Sequence, residues 1–238
     1  MKYDISKLKI LYEDNHIIAI NKPAGVLVQG DETGDTPIFE IVKEYIRFTY
    51  NKPGEAWLGI PHRLDRPVSG VLIFAKTSKA LVRLNEMFQD QSIDKEYVAI
   101  VKERPEPLSA TLVNFLVKDK DKNTSKVLDG VSKRNPDAKR CELDYNLISV
   151  LDGYNLLQVK PKTGRPHQIR VQLAHIGCPI VGDFRYGSAI KGIDNNIYLH
   201  CRKMEFIHPI KKEKIVIKVD PQGGMWNKFT YDQEHVQL

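Results

Sequence analysis

The sequence predicts an α+β protein: a mixed, mostly antiparallel β-sheet flanked by helices and loops. Short apolar runs recur in pairs around tight polar breaks, the pattern of hairpins. Three stretches instead carry apolar residues at helical spacing, around Ile38 to Tyr50, Ser78 to Phe88 and Pro166 to Ile176. Strands thus occur both in hairpin series and around helices, which favours α+β with a largely antiparallel sheet.

The elements follow in order. Ile10-Leu11-Tyr12 and Ile17-Ile18-Ala19-Ile20 surround Glu13-Asp14-Asn15-His16 and read as a hairpin. Asn21-Lys22-Pro23-Ala24-Gly25 breaks the second strand. Thr36-Pro37 supplies a cap and a first-turn proline for a helix whose stripe is Ile38, Ile41, Val42, Tyr45 and Ile46. Val71 to Ala75 is a strand. Ser78 is the expected cap of a helix with Leu81, Leu84, Met87 and Phe88 on one side. Lys95 to Val101 alternates like a strand, and the polar stretch from Lys118 to Arg140 reads as extended hairpins and loops. Cys141 to Val150 and Tyr154 to Val159 are strands around Asp152-Gly153. Pro166 to Ile176 is a helix ended by Gly177. Tyr198 to Phe206 and Lys214 to Val219 close the sheet. No composition shift marks a boundary, so the expectation is one domain over 1–238 with a core at about 10–221 and room for small lobes.

Composition narrows the class. Hydrophobic residues are 42% and charged residues 28% of the 238, the balance of a globular protein in water. No apolar run approaches the roughly 18 residues that a bilayer requires. Met1 to Lys7 holds no apolar core of a secretion signal, so the expected location is the cytoplasm and no membrane partner is expected. Cys141, Cys178 and Cys201 lie far apart, and His167 and His175 share a helix face only loosely. That spacing argues against a disulfide framework and against a metal site. Lys and Arg exceed Asp and Glu by 36 to 30, which suggests a polyanionic partner.

Two segments concentrate chemistry. In His62-Arg63-Leu64-Asp65-Arg66 one carboxylate sits between two guanidiniums, just ahead of a strand. Nearby positive charge favours the ionised form of Asp65. A permanently charged Asp among phosphate-binding groups suits chemistry on a nucleic acid, although a plain ion pair is the commoner meaning of such a pattern. The second segment, Lys162 to Arg170, is a strand-to-helix turn rich in donors. A helix N-terminus offers unpaired N–H groups to an anion. His167, Arg170 and Ala174 share one helix face, while Ile169, Leu173 and Ile176 form an apolar neighbour. Arg170 therefore either meets a buried partner or caps a carbonyl.

Together these segments resemble the RluA-type family of RNA pseudouridine synthases. Asn21 to Gly25 is similar to that family's Lys-Pro motif, and His62 to Lys76, HRLDRPVSGVLIFAK, to its catalytic motif. Lys95 to Val101, KEYVAIV, resembles the strand that carries an active-site tyrosine. Thr163 to Gly187, TGRPHQIRVQLAHIGCPIVGDFRYG, resembles the third motif almost throughout. The matches run in family order over nearly the whole chain. Val68 replaces a frequent Thr, and Pro166 a usual Ser or Thr. The first motif lies so near Met1 that the form lacking the extra S4 RNA-binding domain is expected.

The resemblance implies isomerisation of uridine in RNA to its C-glycoside, without cofactor or metal. It implies that Asp65 is essential, as nucleophile at C1′ or as base toward a ribose proton. Arg170 is implied to pair with Asp65, and Tyr97 to stack on the uracil and serve the C5 proton late in the reaction. Arg63 is implied to fill the gap left by a flipped base. Arg66 and Arg165, with Lys22 and His167, are expected to hold phosphates of a ribosomal or transfer RNA stem-loop. A monomer is expected. Two other readings stand beside this: a non-catalytic RNA-binding module of the same fold, and a glycosylase that releases free uracil.

Overall fold

The structure is a computed structural model and describes residues 4–119, 123–128, 130–131, 135–192, 194 and 196–231. Among these, ten strands run β1 Ile10–Glu13, β2 Ile17–Lys22, β3 Ser69–Ala75, β4 Asp94–Val101, β5 Ser109–Asp119, β6 Thr124–Leu128, β7 Lys139–Leu151, β8 Tyr154–Pro161, β9 Leu199–Ile207 and β10 Lys214–Lys218. Three helices join them: α1 Ile38–Thr49, α2 Ser78–Gln89 and α3 Gln168–His175. The chain divides into two compact units, Met1–Asp94 with Cys201–Val219, and Lys95–His200 with Asp220–Leu238. Because Cys201–Val219 returns to the first unit, no single cut separates the two, and no boundary shows in composition.

In the first unit β1, β2, β3 and β9 lie side by side and β10 pairs with β9. Asp14 closes the first hairpin, its Oδ1 accepting the N–H groups of His16 at 2.8 Å and Ile17 at 2.9 Å. Ile17 to Ile20 and Val71 to Ala75 are fully buried. Such unbroken apolar runs, rather than alternation, mark strands covered on both faces. Helix α1 buries Ile38, Ile41, Val42 and Ile46, and its Phe39 packs against Phe74 with ring centroids 6.1 Å apart. The antiparallel register runs from Ile17 opposite Ala75 to Lys22 opposite Gly70. That register sets the Lys-Pro segment beside the turn carrying Asp65. Gly70 has φ +114°, and a Cβ there would lie 2.2 Å from the carbonyl oxygen of Cys201, so only glycine fits.

In the second unit the order is β4-β8-β7-β5-β6, every pair antiparallel. Asp152 and Gly153, with φ of 51° and 72°, form the two-residue turn between β7 and β8. Positive φ at both central residues is the hairpin geometry that an Asp-Gly pair favours. Helix α3 buries Gln168 through Leu173 without a break. Val171 packs on Leu116 and Cys141, with Val127 and Tyr186 beside them.

The helix starts differ from expectation by one or two residues. Thr77, not Ser78, caps α2, its Oγ1 accepting the Ala80 N–H at 3.2 Å. Pro37 occupies the cap of α1 in place of Thr36 and offers no side-chain bond. His167 adopts a left-handed backbone with φ 55°, so α3 begins at Gln168 and Pro166 precedes the helix. Gly177, φ 77°, ends it as expected. Strand β5 falls in the alternating run before the Lys118–Arg140 stretch, to which the sequence assigned no bounds. Part of the Lys118–Arg140 stretch, residues 120–122, 129 and 132–134, lies outside the described residues.

Candidate active site

The Asp65 segment is an irregular turn leading into β3. The Val68 N–H donates to the Asp65 carbonyl at 3.0 Å, and buried Leu64 and Val68 fix the turn from both sides. Asp65 is half-buried and Arg63 exposed. The His62 ring lies on Phe88, with centroids 4.5 Å apart and planes 27° apart. Its Nε2 accepts the Ile73 N–H at 3.0 Å. His62 was given no role from sequence, yet it locks the start of the Asp65 segment to β3. An accepting Nε2 requires the neutral ring with its proton on Nδ1.

Lys22 corrects an expectation. It does not reach solvent to hold a phosphate but is fully buried. Its Nζ donates to the carbonyls of Pro23 at 2.9 Å, Val26 at 2.8 Å and Arg66 at 3.2 Å. Three donors thus meet three acceptors, which accounts for the whole ammonium. Burial pushes Lys22 down to about 7, opposed by the charge of Asp65 and reinforced by that of Arg66. A chain this basic places most lysines in water, and only the tertiary fold shows that this one is inside.

Arg66 is tied to the same segment. Its carbonyl accepts the Gly25 N–H at 2.8 Å, and its Nε donates to the Gly25 carbonyl at 3.0 Å. Its Nη2 meets Asp35 Oδ2 at 2.5 Å. The first unit therefore brings Lys22, Gly25, Asp65 and Arg66 together: the Lys-Pro loop is a cradle for the aspartate's turn.

The second unit assembles the third segment. Gln168 anchors the turn before α3. Its Oε1 accepts from Thr163 Oγ1 at 2.7 Å and from the Arg165 N–H at 3.0 Å, while its Nε2 donates to the Glu142 carbonyl at 3.0 Å. Arg165 is left exposed, with Nε 3.3 Å from the Arg140 carbonyl. His167 is half-buried and its Nδ1 lies 2.8 Å from the Tyr186 hydroxyl, so it has a structural partner within its own unit. Arg170 is buried and forks onto Asp183, Nε to Oδ2 at 2.6 Å and Nη2 to Oδ1 at 2.9 Å. Its guanidinium carbon stands 5.1 Å from the centre of the Tyr186 ring. Tyr97 is half-buried on β4, among the buried Glu96, Val98, Ala99 and Ile100.

Asp183 was inside the recognised segment but was given no role. The signal was present: an arginine in a buried helix needs a carboxylate, and Asp183 is the first acid after Arg170. Among the described residues no group of three His, Cys, Asp or Glu side chains could hold a metal ion. Burial raises the thiol of Cys178 to about 11, far from a reactive thiolate.

Comparison with known proteins supplies the family. A family model described as RNA pseudouridylate synthase matches residues 16–175. The ribosomal large subunit pseudouridine synthase C of Buchnera aphidicola is 37% identical over 221 residues, 88% of this chain and 66% of its own length. The chain thus spans just under two thirds of that relative. The tRNA pseudouridine synthase C of Vibrio parahaemolyticus is 34% identical, over 97% of this chain and 98% of its own length. The solved structure of human RNA pseudouridylate synthase domain containing 4 superposes with a TM-score of 0.73 at 23% identity, covering 89% of this chain and 87% of that one. It shares the α+β fold that the hairpin series predicted. With residues 16–175 matched out of 238, the chain belongs to the RNA pseudouridylate synthase family.

Proposed function

We propose that this protein isomerises uridine to pseudouridine in a structured ribosomal or transfer RNA. The observation that carries the reading is the Asp65 turn: its segment resembles the family's catalytic motif apart from Val68, and buried Lys22 and stacked His62 hold it from two sides. Structure held this closely serves a geometry rather than mere solubility.

In this reading the target nucleotide leaves the stem and enters with its base, at a cost of a few kcal/mol. Arg63, exposed and two residues before Asp65, lays its flat guanidinium in the vacated stack. Asp65 then attacks C1′ or removes a ribose proton, and the N-glycosidic bond breaks. The uracil turns, and C5 bonds to C1′ as the Asp65–C1′ bond breaks or, on the other route, as the ribose carbon takes back its proton; the C5 proton then leaves with Tyr97 beside the ring, and N1 gains one. Arg170 takes the role that the family resemblance implies for it, the charge partner of Asp65. Arg165 and the outer face of Arg66 meet phosphates, as arginine forks do. His167 contributes to RNA binding through the turn it braces. The protein acts as a monomer in the cytoplasm and without a cofactor.

The test is a pseudouridine map of ribosomal and transfer RNA from cells with and without the protein, and with Asp65→Ala. Sites lost on deletion, restored by the wild-type chain and not by the variant, are the expected result. Unchanged maps overturn the reading. RNA binding without isomerisation would indicate a binding module, and free uracil in the reaction a glycosylase.

A further inference from the structure

The geometry points to Asp183 and Tyr186 as positioning residues that set the direction of the Arg170 guanidinium. The inference rests on the proposed role of Arg170 and extends it to two residues that no motif reading assigned.

An arginine side chain has many rotamers, so a useful charge at its end must be restrained in direction as well as place. Here two different surfaces of the guanidinium are held. Asp183, itself buried, takes the Nε–Nη2 edge in a two-bond fork at 2.6 and 2.9 Å. A side-on fork of this kind leaves the Nη1–Nη2 end turned away from Asp183. The Tyr186 ring holds the face, 5.1 Å from the guanidinium carbon. With edge and face both set, the plane has one orientation.

The Tyr186 ring is in turn fixed through its hydroxyl. That oxygen accepts the Ser125 N–H at 2.8 Å and lies 2.8 Å from His167 Nδ1. Ser125 Oγ donates to the Pro166 carbonyl at 2.7 Å, and Arg185 Nη1 donates to the Asn123 carbonyl at 3.0 Å. The β5–β6 hairpin is thereby clipped to both the turn before α3 and the 3-10 turn Phe184–Tyr186. The Tyr186 N–H bonds the Asp183 carbonyl at 3.0 Å, so edge holder and face holder belong to one turn. A buried arginine held only for stability would need the carboxylate but not the anchored ring.

Tyr186→Phe is the informative variant, because it keeps the ring against Arg170 and deletes only the anchor. Single-turnover rates on a cognate transcript would be measured for wild type, Y186F, Arg170→Lys and the double variant, with binding of the same transcript and thermal unfolding alongside. Expected is a fall of about tenfold in rate for Y186F with affinity and unfolding little changed, the scale of a small misplacement. In the Arg170→Lys background the Tyr186 change should add nothing, since the planar group it positions is gone. A normal rate for Y186F beside a slow Arg170→Lys overturns this inference alone, as does an equal loss from Y186F in both backgrounds. A normal rate for Arg170→Lys overturns the reading of Arg170 itself. Asp183→Asn, which retains a hydrogen bond but not the charge, should lose rate as Y186F does and lose stability as well, since the buried guanidinium keeps no counter-charge; a loss of affinity without loss of rate in both variants would also overturn the inference.

Discussion

Each unit buries one cation at the centre of its motif, and the two solve the problem in opposite ways. Arg170 in the second unit is neutralised by a carboxylate, in a fork with Asp183 that satisfies charge and direction together. Lys22 in the first unit bonds only carbonyl dipoles, those of Pro23, Val26 and Arg66. A guanidinium stays charged under all ordinary conditions, whereas an ammonium taken out of water can lose its proton. Lys22 is already lowered to about 7 by its burial. One site thus secures a constant charge, and the other secures the path of a backbone. The difference teaches that two basic residues in motifs of one chain need not share a purpose: Arg170 is held as a fixed ion pair with Asp183, and Lys22 as a tie between carbonyls.

The sharpest way to break this comparison is Asp183→Ala. It leaves the Arg170 guanidinium buried without its counter-charge, and breaking such a pair costs about 3–5 kcal/mol. The denaturant midpoint of unfolding should fall accordingly. An unmoved midpoint would show that Arg170 does not depend on Asp183, and the contrast with Lys22 would dissolve.

Lys22→Met tests the other half through pH. In the unfolded chain Lys22 titrates near 10.5, and in the folded protein near 7. Between these values the unfolded chain holds a proton that the folded one has released, so stability from this group rises with pH. Below 7 both states hold the proton, and its contribution is flat and at its least favourable. The stability of the wild type relative to Lys22→Met should therefore climb with pH across that window, by at most about 1.4 kcal/mol per pH unit. Urea unfolding of both proteins at about pH 6, 7.5 and 9 would measure it. Parallel curves would mean that Lys22 keeps an ordinary ammonium, and that its burial is offset by charge after all.

What the sequence showed, and what it hid, follows the range of the forces involved. Hairpins such as β7–β8 declare themselves because Asp152-Gly153 is a local turn signal between alternating runs. Asp65 and Arg170 stood out in the sequence because each sits in a dense local motif beside an element boundary. Lys22 was misjudged because nothing local distinguishes a buried lysine; its three acceptors come from Pro23, Val26 and the distant Arg66. The fork of Asp183 onto Arg170 went unread for a related reason. Asp183 reaches it only because the chain after α3 turns back at Gly177, and no helix periodicity carries that information. His167 was taken for a helical residue, but its left-handed backbone ends the turn and directs its ring to Tyr186.

The smallest expected effect on stability, and the finest test of the loop's purpose, comes from Arg63. Arg66 binds Gly25 and Asp35, whereas Arg63 stands exposed two residues before Asp65. Arg63→Ala should change unfolding by less than about 0.5 kcal/mol, as exposed substitutions do. Its effect should instead depend on the substrate. A uridine in a paired stem must be extruded, and the gap it leaves costs a few kcal/mol unless something stacks there. An unpaired uridine in a short single strand leaves no such gap. Arg63→Ala should therefore slow turnover on the stem far more than on the unpaired strand, whereas Arg66→Ala should slow both, since it loosens the cradle of Asp65 whatever the RNA. Equal losses for Arg63→Ala on the two substrates would make it a phosphate ligand, and the stacking role would fall.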